Sequence, residues 1–313
     1  MATHRCFACD DNNPERIVTR DGDHWTFQFV ERFVGPRGRA HGGTAIGALT
    51  CPALQLAERD GMRHPVPLSV TGRLHFPVPL ASPVQVNALS EEGQCRLELH
   101  VGSDVFLSGF VNLADREVEP GTLLQQPTSK DANDLRALSE LANADLKGPT
   151  FLTQFMRRAE QAGIPWDPPP ICFGCSETEM ALKLRTRIPK PGHLWTKWGV
   201  ESGFTDGNGR LSATMAAAAL DCSTLWVITA NDLDESIRLL RERKMWVTGT
   251  YGVHFLRVPP FEIEGGYRVA ARFLGSEGRK SLTMSVLLDQ EGTVYAVGKA
   301  TSILIDLPEG WMP

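Results

Sequence analysis

A chain of 313 residues that is 42% hydrophobic and 22% charged excludes a disordered or fibrous polymer and leaves room for two cores of ordinary size. A formal net charge of -5 excludes the concentrated basic surface that nucleic acid demands. No run reaches the roughly 18 to 20 consecutive apolar residues of a membrane span. Met1 to Arg5 lacks the apolar core of a secretory leader, and seven cysteines, an odd number, suit a reducing compartment, so a cytoplasmic protein is expected.

The chain is written twice. Cys6-Phe7-Ala8-Cys9 returns as Cys172-Phe173-Gly174-Cys175, and the run from His41 to Ala53 returns, altered, from Ser212 to Thr224. Leu49-Thr50-Cys51 lies over Leu220-Asp221-Cys222. With one insertion allowed, Thr71 to Phe76 lies over Thr250 to Phe255.

After the first Cys-x-x-Cys, alternation predicts a strand over Trp25 to Phe29. A loop from Gly35 to Ala40 follows, in which Arg32, Arg37 and Arg39 crowd the approach to His41. From Gly42 to Glu58 an apolar stripe of Ala45, Ile46, Leu49, Ala53, Leu54 and Leu56 predicts one helix, with Gly61 as its stop. Pro52 should kink that helix or remove one hydrogen bond. Strands are expected over Val66 to Phe76, Val84 to Leu89, Cys95 to Val101 and Val105 to Leu113. One helix laid across an antiparallel meander is an α+β unit.

Two helical patterns, Asn133 to Leu146 and Phe151 to Ala162, form a linker ended by Gly163 and the break from Pro165 to Pro170. The second copy repeats the plan. Strands are expected over Met180 to Arg187 and Leu194 to Val200, then a loop from Gly203 to Gly209 and a long helix from Leu211 to Ala230. The charged stretch Asp232 to Lys244 is expected to be helical, and strands follow over Met245 to Leu256, Tyr267 to Leu274, Ser281 to Leu288 and Val294 to Ile305. The boundaries are 1–120, 121–170 and 171–313: two α+β domains and a helical linker, packed as a covalent pseudo-dimer.

The Cys-Phe-x-Cys openings, the turn Gly38-x-x-His41-Gly42-Gly43 before a helix, and Asp221 deep in the second helix carry a resemblance. The sequence resembles the hotdog-fold thioesterases, in particular the phenylacetate-operon family and its tandem relatives. That likeness implies two hotdog domains, each a long central helix on an antiparallel sheet. It also implies an acyl thioester held between them, with the helix-start turn of one facing an acid from the helix of the other.

The family's acid sits eight residues after the first glycine, which is Thr50 in the first copy; the matching residue of the second copy is Asp221. One cleft therefore has both components and the other has neither. The resemblance implies His41, Gly42, Gly43, Asp221 and Thr248 as catalytic residues, with Thr248 positioning the attacking water. Arg37, Arg39 and Arg210 are available for the phosphates of coenzyme A. Family members commonly have Asn or Gln where this chain has Val34 or Gly35.

Unpaired N–H groups at a helix start, aligned with the positive end of its dipole, suit a carbonyl oxygen that gains negative charge. Asp221 lies in a helix apolar almost all round, where a carboxylate must be paired or hydrogen-bonded and desolvation moves its pKa upward. Whether it acts as general base or nucleophile stays open. The two Cys-x-x-Cys pairs are separated by a whole domain, so no metal site is expected. No cofactor is expected beyond coenzyme A as part of the substrate.

The expected activity is acyl-CoA thioesterase in a single cleft. The alternative is a non-catalytic acyl-CoA or acyl-carrier binding protein of the same fold. Hotdog dehydratase chemistry would need an acid/histidine pair in a different motif, which the sequence does not display. The expected partner is an acyl-thioester substrate, with neither nucleic acid nor membrane, and the double unit leaves room for a homo-oligomer.

Overall fold

A computed structural model of the chain describes residues 6–35, 38–144, 146–164, 172–176 and 181–307. The first half contains strands β1 (Val18–Asp21) and β2 (His24–Phe27), then helices α1 (Gly42–Ala48) and α2 (Thr50–Arg59). Strands β3 (Pro65–Leu74), β4 (Val84–Glu91), β5 (Gln94–Val101) and β6 (Asp104–Asp115) follow. Helices α3 (Ala132–Ser139) and α4 (Phe151–Gln161) lead to strand β7 (His193–Trp198) and helices α5 (Ala213–Asn231) and α6 (Leu233–Arg241). Strands β8 (Lys244–Phe255), β9 (Tyr267–Glu277), β10 (Lys280–Leu288) and β11 (Val294–Asp306) complete the order.

These strands form one 11-stranded sheet in the order β1-β2-β4-β5-β6-β3-β8-β11-β10-β9-β7. Its centre is the antiparallel β3–β8 seam, where Ser69 pairs with His254 and Arg73 with Thr250. From that seam outward, each half runs through its strands in the same relative order. β1 breaks the repetition, because its counterpart is a single bridge from Arg187 to Trp195. The strand expected over Met180 to Arg187 therefore does not form between Ala181 and Arg187, and Met180 lies outside the described residues. Leu182 N–H goes to Phe173 O and Leu184 N–H to Gly174 O, so this backbone is spent on the second Cys-Phe turn.

The helix expected over Gly42 to Glu58 is interrupted at Leu49. Pro52 has no N–H to give to Ala48 O, and its ring crowds that carbonyl. α5, which lacks proline, continues unbroken over 19 residues. By length and hydropathy α5 is apolar enough to cross a bilayer, which a count of consecutive apolar residues overlooks. A helix apolar on every side needs burial on every side. α5 finds it between α1 and strands β7 to β11.

The linker explains why the second half-sheet is apolar on both faces. Val269, Leu287 and Ala296 point into the core that holds α5, whereas their neighbours Ala270, Val286 and Val297 pack with Leu135 and Leu138 of α3. Residues Thr283 to Leu288 are consequently all buried, as expected of a strand covered on both faces. Among the described residues the first half-sheet has no such cover. β4 keeps alternating, and Leu89 and Phe110 stand exposed.

The two Cys-Phe turns cross between halves. Phe173 N–H donates to Val34 O at 2.7 Å, and Phe7 N–H donates to Thr205 O at 3.2 Å. Phe7, Phe33, Phe173 and Phe204 thereby meet edge to face, with centroids 5.0 to 6.4 Å apart. The Arg32 guanidinium lies over Phe7 and Phe204 and is bonded to Glu15 and Glu201. Phe173→Ala should lower stability in urea unfolding by about 3–5 kcal/mol. Leu89→Ser, on the open face, should change it by less than about 0.5 kcal/mol.

Candidate functional site

α1 and α5 run antiparallel, with the start of α1 against the middle of α5. A Cβ built on Gly43 would stand 2.4 Å from Asp221 Cβ and 2.8 Å from Ala217 O. Glycine is therefore what permits this approach. It brings Gly43 N–H to Asp221 Oδ2 at 2.7 Å, a bond between the two halves of the chain.

Asp221 is only 5% exposed. Its Oδ1 accepts the Thr248 hydroxyl at 3.3 Å, and His41 Nε2 stands 3.8 Å from Oδ2. Thr248 adjoins a bulge in β8, since it pairs with Ser302 while Thr250 pairs with Thr301, leaving Gly249 over. Such an extra residue bends the strand and re-aims neighbouring side chains. His41 is the N-cap of α1, and its Nδ1 accepts the Thr44 N–H at 3.3 Å. One of the helix's orphan donors is satisfied in this way.

Burial pushes the Asp221 carboxyl above the usual carboxylate range, although His41, the Gly43 N–H and the Thr248 hydroxyl pull it part of the way back. Burial acts to lower His41 as well, but Cys172 and Asp221 beside it outweigh that and leave it raised. Cys175, Cys222 and His41 hold the Cys172 thiol well below its ordinary range. The site is thus a set of buried and part-buried groups that shift one another's protonation.

Of the residues singled out in the sequence, His41, Gly42, Gly43, Asp221 and Thr248 lie together. Arg39, half-buried, bridges to Pro79 two residues before His41. Arg37 lies outside the described residues. Arg210 lies elsewhere and does not join Arg39 around one cleft. It precedes the start of α5, donates to Val118 O and stands beside Asp206. The repetition explains the separation: Arg39 and Arg210 each sit two residues before the N-cap of a different helix.

Arg210 belongs to the second of the two related clefts. A cavity of about 50 Å³ lies there, lined by Cys6, Thr50, Arg210, Ser212 and Phe255 among others. Thr50 stands where the acid would be, and its hydroxyl is turned back onto Gly47 O at 2.8 Å. Ser212 occupies the place of His41, and its buried Oγ has no partner among the described residues.

The association of the cysteines is not legible in their sequence spacing. Each Cys-x-x-Cys turn closes onto a third cysteine from the helix of its own half. Cys6 Sγ is 3.4 Å from Cys9 Sγ and 3.1 Å from Cys51 Sγ. Cys175 is hydrogen-bonded to both Cys172 and Cys222, and His41 reaches in from the other half. The two turns, a whole domain apart in sequence, lie close in space, because Phe7 and Phe173 both pack on Phe33 and Phe204. The signal was the recurrence of Cys51 as Cys222, which aligned the copies without being connected to the turns.

Solved structures of similar shape were found at low sequence identity. A conserved protein of unknown function with a hot dog fold from Alicyclobacillus acidocaldarius matches with a TM-score of 0.56 at 14% identity, over 92% of this chain and 95% of that one. An acyl-CoA thioesterase II from Mycobacterium marinum matches with a TM-score of 0.52 at 14% identity, over 95% and 97%. The dehydratase domain of PpsC from Mycobacterium tuberculosis, in complex with C12:1-CoA, matches with a TM-score of 0.51 at 13% identity, over 92% and 97%. No protein-family model matches the chain, and no curated protein does. The fold is a double hotdog, α+β, with its two central helices on one continuous antiparallel sheet.

Gly43→Ala should destabilise the chain by about 1–3 kcal/mol, because its methyl group meets backbone as well as side chain. In Gly203→Ala the new methyl finds its nearest neighbour at 3.8 Å. Urea denaturation should place that control within about 0.5 kcal/mol of the unaltered chain.

Proposed function

We propose that the chain hydrolyses an acyl thioester, with acyl-CoA as the substrate class, at the cleft that contains Asp221. The observation that carries this reading is the 2.7 Å bond from Gly43 N–H to Asp221 Oδ2. It places a buried carboxylate of one half against the helix start of the other, where a developing oxyanion would also be held. Neighbours described as acyl-CoA thioesterase II and as a dehydratase domain with a bound CoA ester support a CoA thioester as ligand.

Gly43 N–H is already given to the carboxylate, whereas Gly42 N–H has no acceptor among the described residues. Gly42 N–H is the donor for the substrate carbonyl oxygen. One such donor is typically worth about 2.7–4 kcal/mol in the transition state. His41, capping α1 through Nδ1, holds this turn in place.

Asp221 serves as general base. Both of its oxygens are held by donors, and its Cβ is wedged against Gly43, so the carboxylate has little freedom to swing onto a carbonyl carbon. A water bound between Asp221 Oδ1 and the Thr248 hydroxyl loses a proton to the carboxylate as its oxygen adds to the carbonyl carbon. The tetrahedral oxyanion then collapses, the C–S bond breaks, and the thiolate takes the proton from Asp221. The products are a carboxylic acid and a free thiol. Thr248 supplies the polar contact that Val34 and Gly35 lack.

A hydratase reading draws on the 3.8 Å approach of His41 to Asp221. The geometry favours it less, because His41 Nε2 is turned toward Cys172 and Cys222.

Thiol release from an acyl-CoA series tests the proposal. Asp221→Asn should lower kcat by roughly 10²-fold or more, while Thr50→Ala, in the acid-free cleft, leaves it unchanged. Equal loss in both variants contradicts a single working cleft. Acyl-CoA binding without thiol release in the unaltered chain would identify a binding protein, and loss of an enoyl-CoA without thiol release would identify a hydratase.

A further inference from the structure

We propose that Cys172, Cys175, Cys222 and His41 hold one zinc-class cation, in a Cys₃His site completed by both halves of the chain. A ring nitrogen of His41 and the sulfurs of Cys172 and Cys222 all lie within 4.8 Å of one another. The Cys175 thiol is hydrogen-bonded to both of those sulfurs. A tetrahedral zinc, with bonds of about 2.3 Å to sulfur and about 2.0 Å to nitrogen, sets its donors roughly 3.5–3.8 Å apart. His41, Cys172 and Cys222 need to draw together from within 4.8 Å, and Cys175, which lies outside that grouping but beside both sulfurs, turns inward to close the tetrahedron.

Gly174, between the two cysteines of the turn, shows how closely the cage is drawn together. A Cβ there would stand 2.7 Å from Cys222 Cβ, 2.8 Å from Cys222 Sγ and 3.4 Å from His41 Nε2. The first half has Ala8 at the corresponding place. Three soft sulfur donors and an imidazole select zinc over the hard cations, which prefer oxygen. Thr44 supplies the supporting contact. With Nε2 on the metal the ring proton moves to Nδ1, and Thr44 Oγ1 at 3.2 Å accepts it, replacing the bond that Nδ1 accepts from Thr44 N–H in the metal-free chain.

The first half is the built-in comparison. Cys6, Cys9 and Cys51 also lie within 4.8 Å of one another, but Ser212 stands in the place of His41. Three thiols and a hydroxyl are not a four-donor zinc set. The chain therefore binds one ion, which ties the second Cys-Phe turn to α5 and to the start of α1. This inference stands apart from the hydrolase reading, since it is read out as bound metal.

The test is a metal count on the full-length chain after exchange through metal-free buffer. One zinc per chain is expected by mass spectrometry of the metal, lost in Cys222→Ser and Cys175→Ser and retained in Cys51→Ser. Cobalt(II) added to the demetallated, unaltered chain should give thiolate charge-transfer bands and the visible bands of tetrahedral coordination. That measurement decides the matter even where a variant does not fold. Absence of both zinc and the cobalt bands, two ions per chain, or loss of the ion from folded Cys51→Ser overturns the assignment.

Discussion

A carboxylate sealed inside an apolar helix must be given hydrogen bonds or it does not stay charged, and the Asp221 site is organised around that requirement. Nothing in its own turn of α5 supplies the bond to Oδ2; a peptide N–H of the other half does, at 2.7 Å. Such an approach excludes any side chain at Gly43 and brings α1 and α5 into direct contact. It also needs the start of α1 to be held, which His41 does by capping it, and the turn ahead of His41 to be anchored, which Phe173 does through Val34. An unpartnered buried charge would cost several kcal/mol. The candidate site and the fit of the two halves thus depend on the same contact.

Most of this architecture is visible in the residues because duplication doubles every signal. The meander strands and the second linker helix follow from alternation and from helical periodicity and are found within a few residues of their expected bounds, whereas the first linker helix, expected to reach Leu146, ends at Ser139. Local pattern misleads where a segment's hydrogen bonds go to a distant partner. Leu182 and Leu184 look like strand residues but bond to the second Cys-Phe turn. Pro52 announced a disturbance, while its form, a break at Leu49, depends on how α1 is pinned against α5.

The site was legible as chemistry but not as geometry. Thr50 and Asp221 could be set against each other from spacing alone, and so could His41 and Ser212. Spacing does not reveal that Gly43 N–H is consumed by the acid, that Arg210 belongs to the other cleft, or that each cysteine turn meets a third thiol. Those facts arise from the relation between the halves, which exchange their Cys-Phe turns. The two copies have diverged in their surroundings as well. α3 covers the outer face of the second half-sheet, and the first half-sheet keeps an alternating, open face.

The β3–β8 seam joins what would otherwise be two separate sheets. If the halves were produced as independent polypeptides, each would carry a raw border of unpaired peptide groups along that strand, ready to zip onto any extended chain nearby. The duplicated unit is for that reason poorly suited to separation into free modules, and keeping both on one polypeptide means that the proper mate is always at hand when the border forms.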